Sequence, residues 1–223
     1  MLALALTVVI ASEAHAAEDW VSQMVQAWSD VQSYRAEVRV QERVDGTLRD
    51  EVVYTTVYRK PAEFQAAWLG KLEGQRVYVR PDLFGGNVRL LRAGSAGRAA
   101  GILTLAPDDA TLRQALQAPL DRLGMRWMVE DVQARFARSY ADLGMPSPDI
   151  VGTETVWRVD LPAAPEHGYG KGELAWGQHS KLPASYTTWD AGGQLRSRVI
   201  WARLQVNGPI VEQVDFDLAY TAK

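Results

Sequence analysis

The chain has no cysteine. That excludes a disulfide framework, thiolate metal sites, a cysteine nucleophile and lipid attachment at an N-terminal cysteine. Histidine is scarce, and neither His167 nor His179 has a second histidine or acid at metal-ligand helical spacing, so no zinc site is expected. Charge of one sign is missing too. Lys and Arg total 24 against 27 Asp and Glu, with no basic run. This leaves no electrostatic footprint for nucleic acid and no polybasic patch for anionic lipid. Beyond the first residues no apolar stretch approaches the roughly 20 residues that span a bilayer. No Gly-x-Ser-x-Gly elbow occurs, and the stretch His167 to Gly172 lacks both the spacing of a phosphate loop and its Ser/Thr after Lys. No catalytic constellation emerges, and no cofactor is expected.

What is present begins with a leader pattern. Leu2 to Ala11 is apolar apart from Thr7 and leads to Ala14-His15-Ala16, a small-x-small cleavage signature. A buried N-terminal helix is the alternative reading. The expectation is an exported, periplasmic protein cleaved near Ala16, with one domain over 17–223. The absence of Lys or Arg ahead of the apolar core implies a start codon further upstream.

Tyr34 to Arg80 reads as an antiparallel meander. Tyr34, Ala36, Val38 and Val40 alternate with Arg35, Glu37, Arg39 and Gln41, the period of a strand with one buried face. Asp45-Gly46 turns the chain into Val52 to Tyr58, Pro61 breaks that run before Phe64 to Leu69, and Glu73-Gly74 leads to Val77 to Val79. A further turn, Gly85-Gly86-Asn87, precedes Val88 to Leu91, and Ala93 to Gly101 reads as a small-residue loop. Glu18 to Ser33 reads as a helix with the stripe Trp20, Met24, Trp28 and Val31. A second helical block follows Pro107-Asp108-Asp109, with Leu112, Leu116 and Leu120 on one stripe and Pro119 interrupting it. Met125 to Tyr140 continues the block, and Met145 to Pro148 ends it. Strands then return at Thr155 to Leu161, Gly172 to Trp176, Ala184 to Trp189, Arg196 to Gln205 and Val211 to Tyr220, with turns at Asp190 to Gly193 and Asn207-Gly208-Pro209. The class is α+β, with a single antiparallel sheet of about ten strands and helices on one face.

Several segments carry a resemblance. Gln41 to Leu48 with its Asp45-Gly46 turn, Lys60-Pro61, Glu73 to Val79, Leu103 to Pro107, Ala118 to Gly124, Leu182-Pro183, Trp189 to Leu195, Leu204 to Asn207 and Asp215 to Asp217 follow one another over nearly all of the chain. In order and spacing they resemble an uncharacterised bacterial family of exported proteins related to the LolA/LolB-type outer-membrane lipoprotein carriers. The resemblance implies a strongly curved sheet, or half-barrel, whose concave face holds an apolar cavity under the helices. It also implies non-catalytic binding of lipid or lipoprotein acyl chains. Gln117-Ala118 stands where the family carries an Arg-His pair, so no role of that pair transfers.

The eight tryptophans are the nearest approach to a functional signal. Aromatic walls suit acyl chains because they offer large apolar area at little rotamer cost, and Met adapts to irregular ligands. Each such residue taken singly reads as ordinary core; the set reads as a cavity lining. The candidate lining is Trp28, Val38, Val40, Tyr54, Trp68, Met125, Met128, Trp189, Trp201 and Phe216. Glu42-Arg43 reads as a structural or solvated pair rather than a rim site. Asp215 and Asp217 share a strand face, and solvation outweighs an acid/base dyad there. The function expected is a monomeric carrier for a hydrophobic ligand. The alternative is an envelope module that binds a protein partner, its cavity filled by its own helices.

Overall fold

A computed structural model describes residues 20–116, 120, 123–138, 146–151, 154–165 and 168–208. The leader, His167, the strand expected at Val211 to Tyr220, and with it Asp215, Phe216 and Asp217, lie outside the described residues.

The described chain forms an open antiparallel sheet of twelve strands. They are β1 (Ser33–Val44), β2 (Thr47–Leu48), β3 (Val52–Arg59), β4 (Glu63–Trp68), β5 (Arg76–Val79), β6 (Val88–Leu91), β7 (Ile102–Leu105), β8 (Ser147–Val151), β9 (Glu154–Leu161), β10 (Lys171–Gly177), β11 (Pro183–Trp189) and β12 (Leu195–Val206). The order across the sheet is β7-β6-β5-β4-β3-β1-β12-β11-β10-β9-β8, with β2 paired to β1. Four helices accompany it: α1 (residues 20–30), α2 (Gly94–Ala100), α3 (Ala110–Leu116) and α4 (Arg126–Arg138).

The α+β class and the single open sheet agree with the sequence pattern, and three local readings change. Ala93 to Gly101 is largely helix α2, not a loop. Gly97 is needed there, since a Cβ would stand 2.5 Å from the Arg92 carbonyl oxygen. Ser147 to Val151 is strand β8 rather than the tail of a helical block. Pro148 is tolerated because β8 is an edge, where a missing N–H breaks no second ladder. Leu103 to Leu105 belongs to the opposite edge strand, β7. With β2, these additions raise the count above the expected ten.

The chain groups into two compact units. Of the described residues, the first holds 20–30, Arg43–Leu48 and those within Met125–Ile200; the second holds Val31–Glu42, those within Arg49–Gly124 and 201–208.

In the first unit, α1 and α4 pack against the β9-β10-β11 ladder. Trp20 of α1 stacks on Trp176 of β10 with ring centres 4.5 Å apart. Trp127 of α4 meets Tyr186 of β11 edge-on at 5.2 Å, and the Tyr186 hydroxyl donates a short hydrogen bond to Asp131. The Asp45-Gly46 turn also lies here. Both residues have positive φ, 49° and 76°, the geometry that a two-residue hairpin turn demands and that Asp-Gly tolerates. Arg43 fastens the turn, donating from Nε to the Leu195 carbonyl at 3.0 Å and from Nη1 to the Gly46 carbonyl at 2.7 Å. Arg43 is thus structural.

In the second unit, α3 begins on Asp109, whose carboxylate accepts the Thr111 N–H at 2.7 Å. Gln75 Nε2 donates to the Ala115 carbonyl at 2.9 Å, tying the end of α3 to the start of β5. Asn207 closes the end of β12. In the left-handed conformation, φ 52°, its Oδ1 accepts from the N–H of Gln32 at 2.7 Å and of Ser33 at 3.0 Å, while its own N–H donates to the Ser33 carbonyl at 2.9 Å.

Candidate functional site

The second unit presents an apolar face with an uncommon share of aromatic rings. Antiparallel register sets it out in rows. Val38 pairs with Tyr54 and Tyr54 with Trp68; Ala36 pairs with Thr56, Thr56 with Ala66, Ala66 with Val77 and Val77 with Leu90. Tyr34 pairs with Tyr58, Tyr58 with Phe64, Phe64 with Val79 and Val79 with Val88. Because side chains alternate along a strand, these rows share one side of the sheet. Nearly all of these residues are buried. Leu112, Leu116 and Leu123 are buried as well, and Gly124 comes near enough that a Cβ on it would touch the Tyr34 hydroxyl at 3.6 Å.

The rings contact one another in sequence. Tyr54 and Trp68 lie 5.2 Å apart, Tyr34 and Tyr58 5.1 Å, and Tyr34 meets Trp201 edge-on at 5.7 Å. Stacked and edge-on pairs at such spacings stabilise by about 0.5–1.5 kcal/mol each beyond their buried area. The face is not purely apolar, however. Trp68 Nε1, Trp201 Nε1 and Thr56 Oγ1 are fully shielded from solvent and have no hydrogen-bond partner among the described residues. Each side chain is at least nine-tenths buried. An unmet buried donor costs about 1–3 kcal/mol, so three on one face leave a standing demand for acceptors. Burial, with the Tyr34 phenol beside it, pushes the Tyr54 hydroxyl well above the usual tyrosine range, so it remains a neutral donor at any physiological pH.

The proposed lining residues divide between the two units. Val38, Val40, Tyr54, Trp68 and Trp201 lie in the second and are buried. Val38, Tyr54 and Trp68 form a single cross-strand row, and Trp201 joins through Tyr34. Met125, Met128, Trp28 and Trp189 belong to the first unit. Met125 and Met128 are fully buried, and Trp28 is only half-buried. Trp189 pairs with Lys171, whose Nζ stands 5.3 Å from the ring centre. It therefore occupies the strand face of Lys171 and Glu173, opposite Leu174 and Tyr186, and does not join a helix-covered lining. Phe216 lies outside the described residues.

Tyr34, Tyr58, Phe64 and Thr56 complete the aromatic face but were not among the sequence candidates. Their signal was legible: each keeps the strand parity of Val38, Tyr54 or Trp68. Among the described residues no group of three or more His, Asp or Glu side chains could hold a metal ion. No described helix is long and apolar enough to cross a membrane.

No protein-family model matches the sequence. No curated protein matches it either. Solved structures share its fold. MucB superposes with a TM-score of 0.53 at 16% identity over 86% of this chain, which spans 59% of the MucB chain. Lipoprotein LppX of Mycobacterium tuberculosis gives 0.51 at 13% identity, covering 91% of this chain and 98% of its own. The Pseudomonas aeruginosa MucA/MucB complex gives 0.50 at 16% identity over 86% of this chain and 57% of that one. A LolA superfamily protein of Nitrosomonas europaea is a more distant likeness, with a TM-score of 0.35 at 12% identity over 86% of this chain and 94% of that one. At these identities the likeness establishes the fold alone, an open antiparallel sheet accompanied by helices, which is the architecture expected from the sequence.

Proposed function

We propose that this protein is an exported, non-catalytic carrier that takes up a hydrophobic ligand, an acyl chain of a lipid or lipoprotein, on the aromatic face of its second unit. The observation that carries this reading is the Tyr34-Tyr54-Trp68-Trp201 face, on which Trp68 Nε1, Trp201 Nε1 and Thr56 Oγ1 have no hydrogen-bond partner among the described residues. A self-contained core meets its buried polar groups internally, whereas a binding face keeps some for its ligand. Export rests on the Leu2 to Ala11 run and the Ala14-His15-Ala16 signature. The test is native mass spectrometry of delipidated protein after incubation with a lipid extract. Retention of a lipid at one-to-one stoichiometry is expected. Protein that never retains one removes the proposal.

A second reading has its own support. MucB has been solved in complex with MucA, so a protein of this fold takes a protein partner. An interaction module of the cell envelope would place the recognition on a partner chain rather than on a lipid. It is favoured if delipidated protein stays lipid-free yet co-elutes with an envelope protein.

A further inference from the structure

The opposite side of the second unit's sheet carries a shallow, open hollow rimmed by charged and polar side chains. Arg35 and Glu37 of β1 point away from the Tyr34-Ala36-Val38 face. Together with Thr55 of β3 and with Arg203 and Gln205 of β12, they line a concavity of about 210 Å³. Pockets for drug-sized ligands run to about 300–1,000 Å³, so this one suits a single small polar group.

Its charge is organised around Glu37, which is only 12% exposed. One carboxylate oxygen accepts from Arg39 Nε at 3.2 Å and Nη2 at 3.1 Å, and the other is paired with Arg203 Nη1 at 3.3 Å. Both oxygens are thus occupied by guanidinium groups, which offsets their repulsion toward an incoming anion. The Arg35 and Gln205 side chains have no hydrogen bond or ion pair among the described residues. Three guanidinium groups surround one carboxylate, a local positive excess in a chain whose formal net charge is −3. Arg203 sits in mid-strand with φ 53°, a conformation an arginine rarely adopts and one that re-aims its side chain. Guanidinium forks match the paired oxygens of phosphate, and the excess charge suits a dianion better than a lone carboxylate.

We propose that this hollow is a phosphate-binding site, in which Arg35 and Arg203 grip the non-bridging oxygens and the Gln205 amide donates to a third. The phosphate is either a free ion or the headgroup of a phospholipid. The site stands on the face opposite the aromatic one and does not depend on the carrier reading.

The experiment uses the mature chain with two probes. Inorganic phosphate is titrated by calorimetry, and flotation is measured with phosphatidylcholine vesicles with and without phosphatidic acid. Arg35→Gln and Arg203→Gln are compared with Arg49→Gln, which removes an exposed arginine outside the hollow. Each hollow variant should weaken binding about tenfold or more, Arg49→Gln should leave it unchanged, and Arg35→Lys should restore part of the loss. Binding of inorganic phosphate identifies the free ion as sufficient; binding of phosphatidic acid vesicles alone identifies the headgroup. The proposal is overturned if neither probe binds at millimolar concentration. It is equally overturned if Arg49→Gln weakens binding as much as the hollow variants, or if folded hollow variants, checked by circular dichroism, bind like the parent.

Discussion

The first unit's helix-covered ladder and the second unit's aromatic face are made of similar residues and settle their contacts differently. In the first, the rings on the covered face meet helices: Trp176 has Trp20, and Tyr186 has both Trp127 and the carboxylate of Asp131. In the second, the rings meet mainly rings, and Trp68, Trp201 and Thr56 hold donors that no described residue accepts. The first unit is not free of such groups, since Trp20 Nε1 and Thr188 Oγ1 are also unmet. The difference is position: Trp20 belongs to a helix that covers the ladder, whereas Trp68, Trp201 and Thr56 stand on the strands of the sheet itself. Aromatic content therefore does not by itself mark a binding face; what sets the second unit apart is that its rings meet rings and its unmet indole donors lie on the sheet.

The comparison breaks first under truncation. Trp176→Ala should cost about 3–5 kcal/mol of stability, read by urea unfolding, because it empties the ladder and strands Trp20. Trp68→Ala should cost as much in delipidated protein. If the second unit is a binding face, lipid should recover part of the Trp68→Ala loss by filling the space, and none of the Trp176→Ala loss. Equal responses to lipid would erase the distinction between the units.

Much of this was legible in the residues. Tyr34-Ala36-Val38-Val40 against Arg35-Glu37-Arg39 displays the buried face of β1, and the same parity carries through Tyr54 to Trp68. Trp189 was illegible for a physical reason. β11 is buried at every position from Pro183 to Thr188, so alternation is erased and only pairing with Lys171 reveals the face of Trp189. Helix α2 hides behind Gly94, Gly97 and Ser95, poor helix formers that read as a loop. The hollow around Glu37 joins residues of β1, β3 and β12 that are distant in sequence, and the positive φ of Arg203 has no signature in an arginine.

A smaller effect sharpens the account of how the second unit is closed. Asn207→Ala removes the acceptor of two backbone donors and the side chain that tolerates φ 52°, and should cost about 1–2 kcal/mol. Hydrogen exchange at the Gln32 and Ser33 amides should accelerate while Leu174 and Tyr186 amides in the first unit keep their protection. Acceleration in both would mean that the two units open together.

Subtler still is removal of a single donor. Trp68→Phe keeps most of the apolar area and deletes the unmet Nε1, so stability of delipidated protein should change by less than about 1 kcal/mol in either direction. A ligand acceptor bound by that indole should be lost, weakening lipid retention about fivefold. Trp20→Phe in the first unit should leave retention unchanged. A Trp68→Phe protein that binds lipid as tightly as the parent would mean that the orphaned donor serves no ligand.

The faintest expected effect lies at the start of α3. The backbone N–H of Thr111, with its hydroxyl, holds the Asp109 carboxyl below the usual aspartate range. A depressed folded pKa stabilises above the unfolded value, near 3.9, and that contribution disappears as pH falls through the lower folded value. Asp109 is partly exposed at the surface, so screening keeps the effect slight. Local melting of α3, followed by carboxyl and amide NMR shifts of residues 109–112, should therefore appear only below pH about 4. Asp109→Asn retains the cap through its side-chain carbonyl and should abolish that pH dependence. Because α3 is joined to β5 through Gln75 and Ala115, the same titration should move the Gln75 side-chain amide resonances. If those resonances stay fixed while α3 frays, the helix closes its end of the aromatic face through its leucines alone.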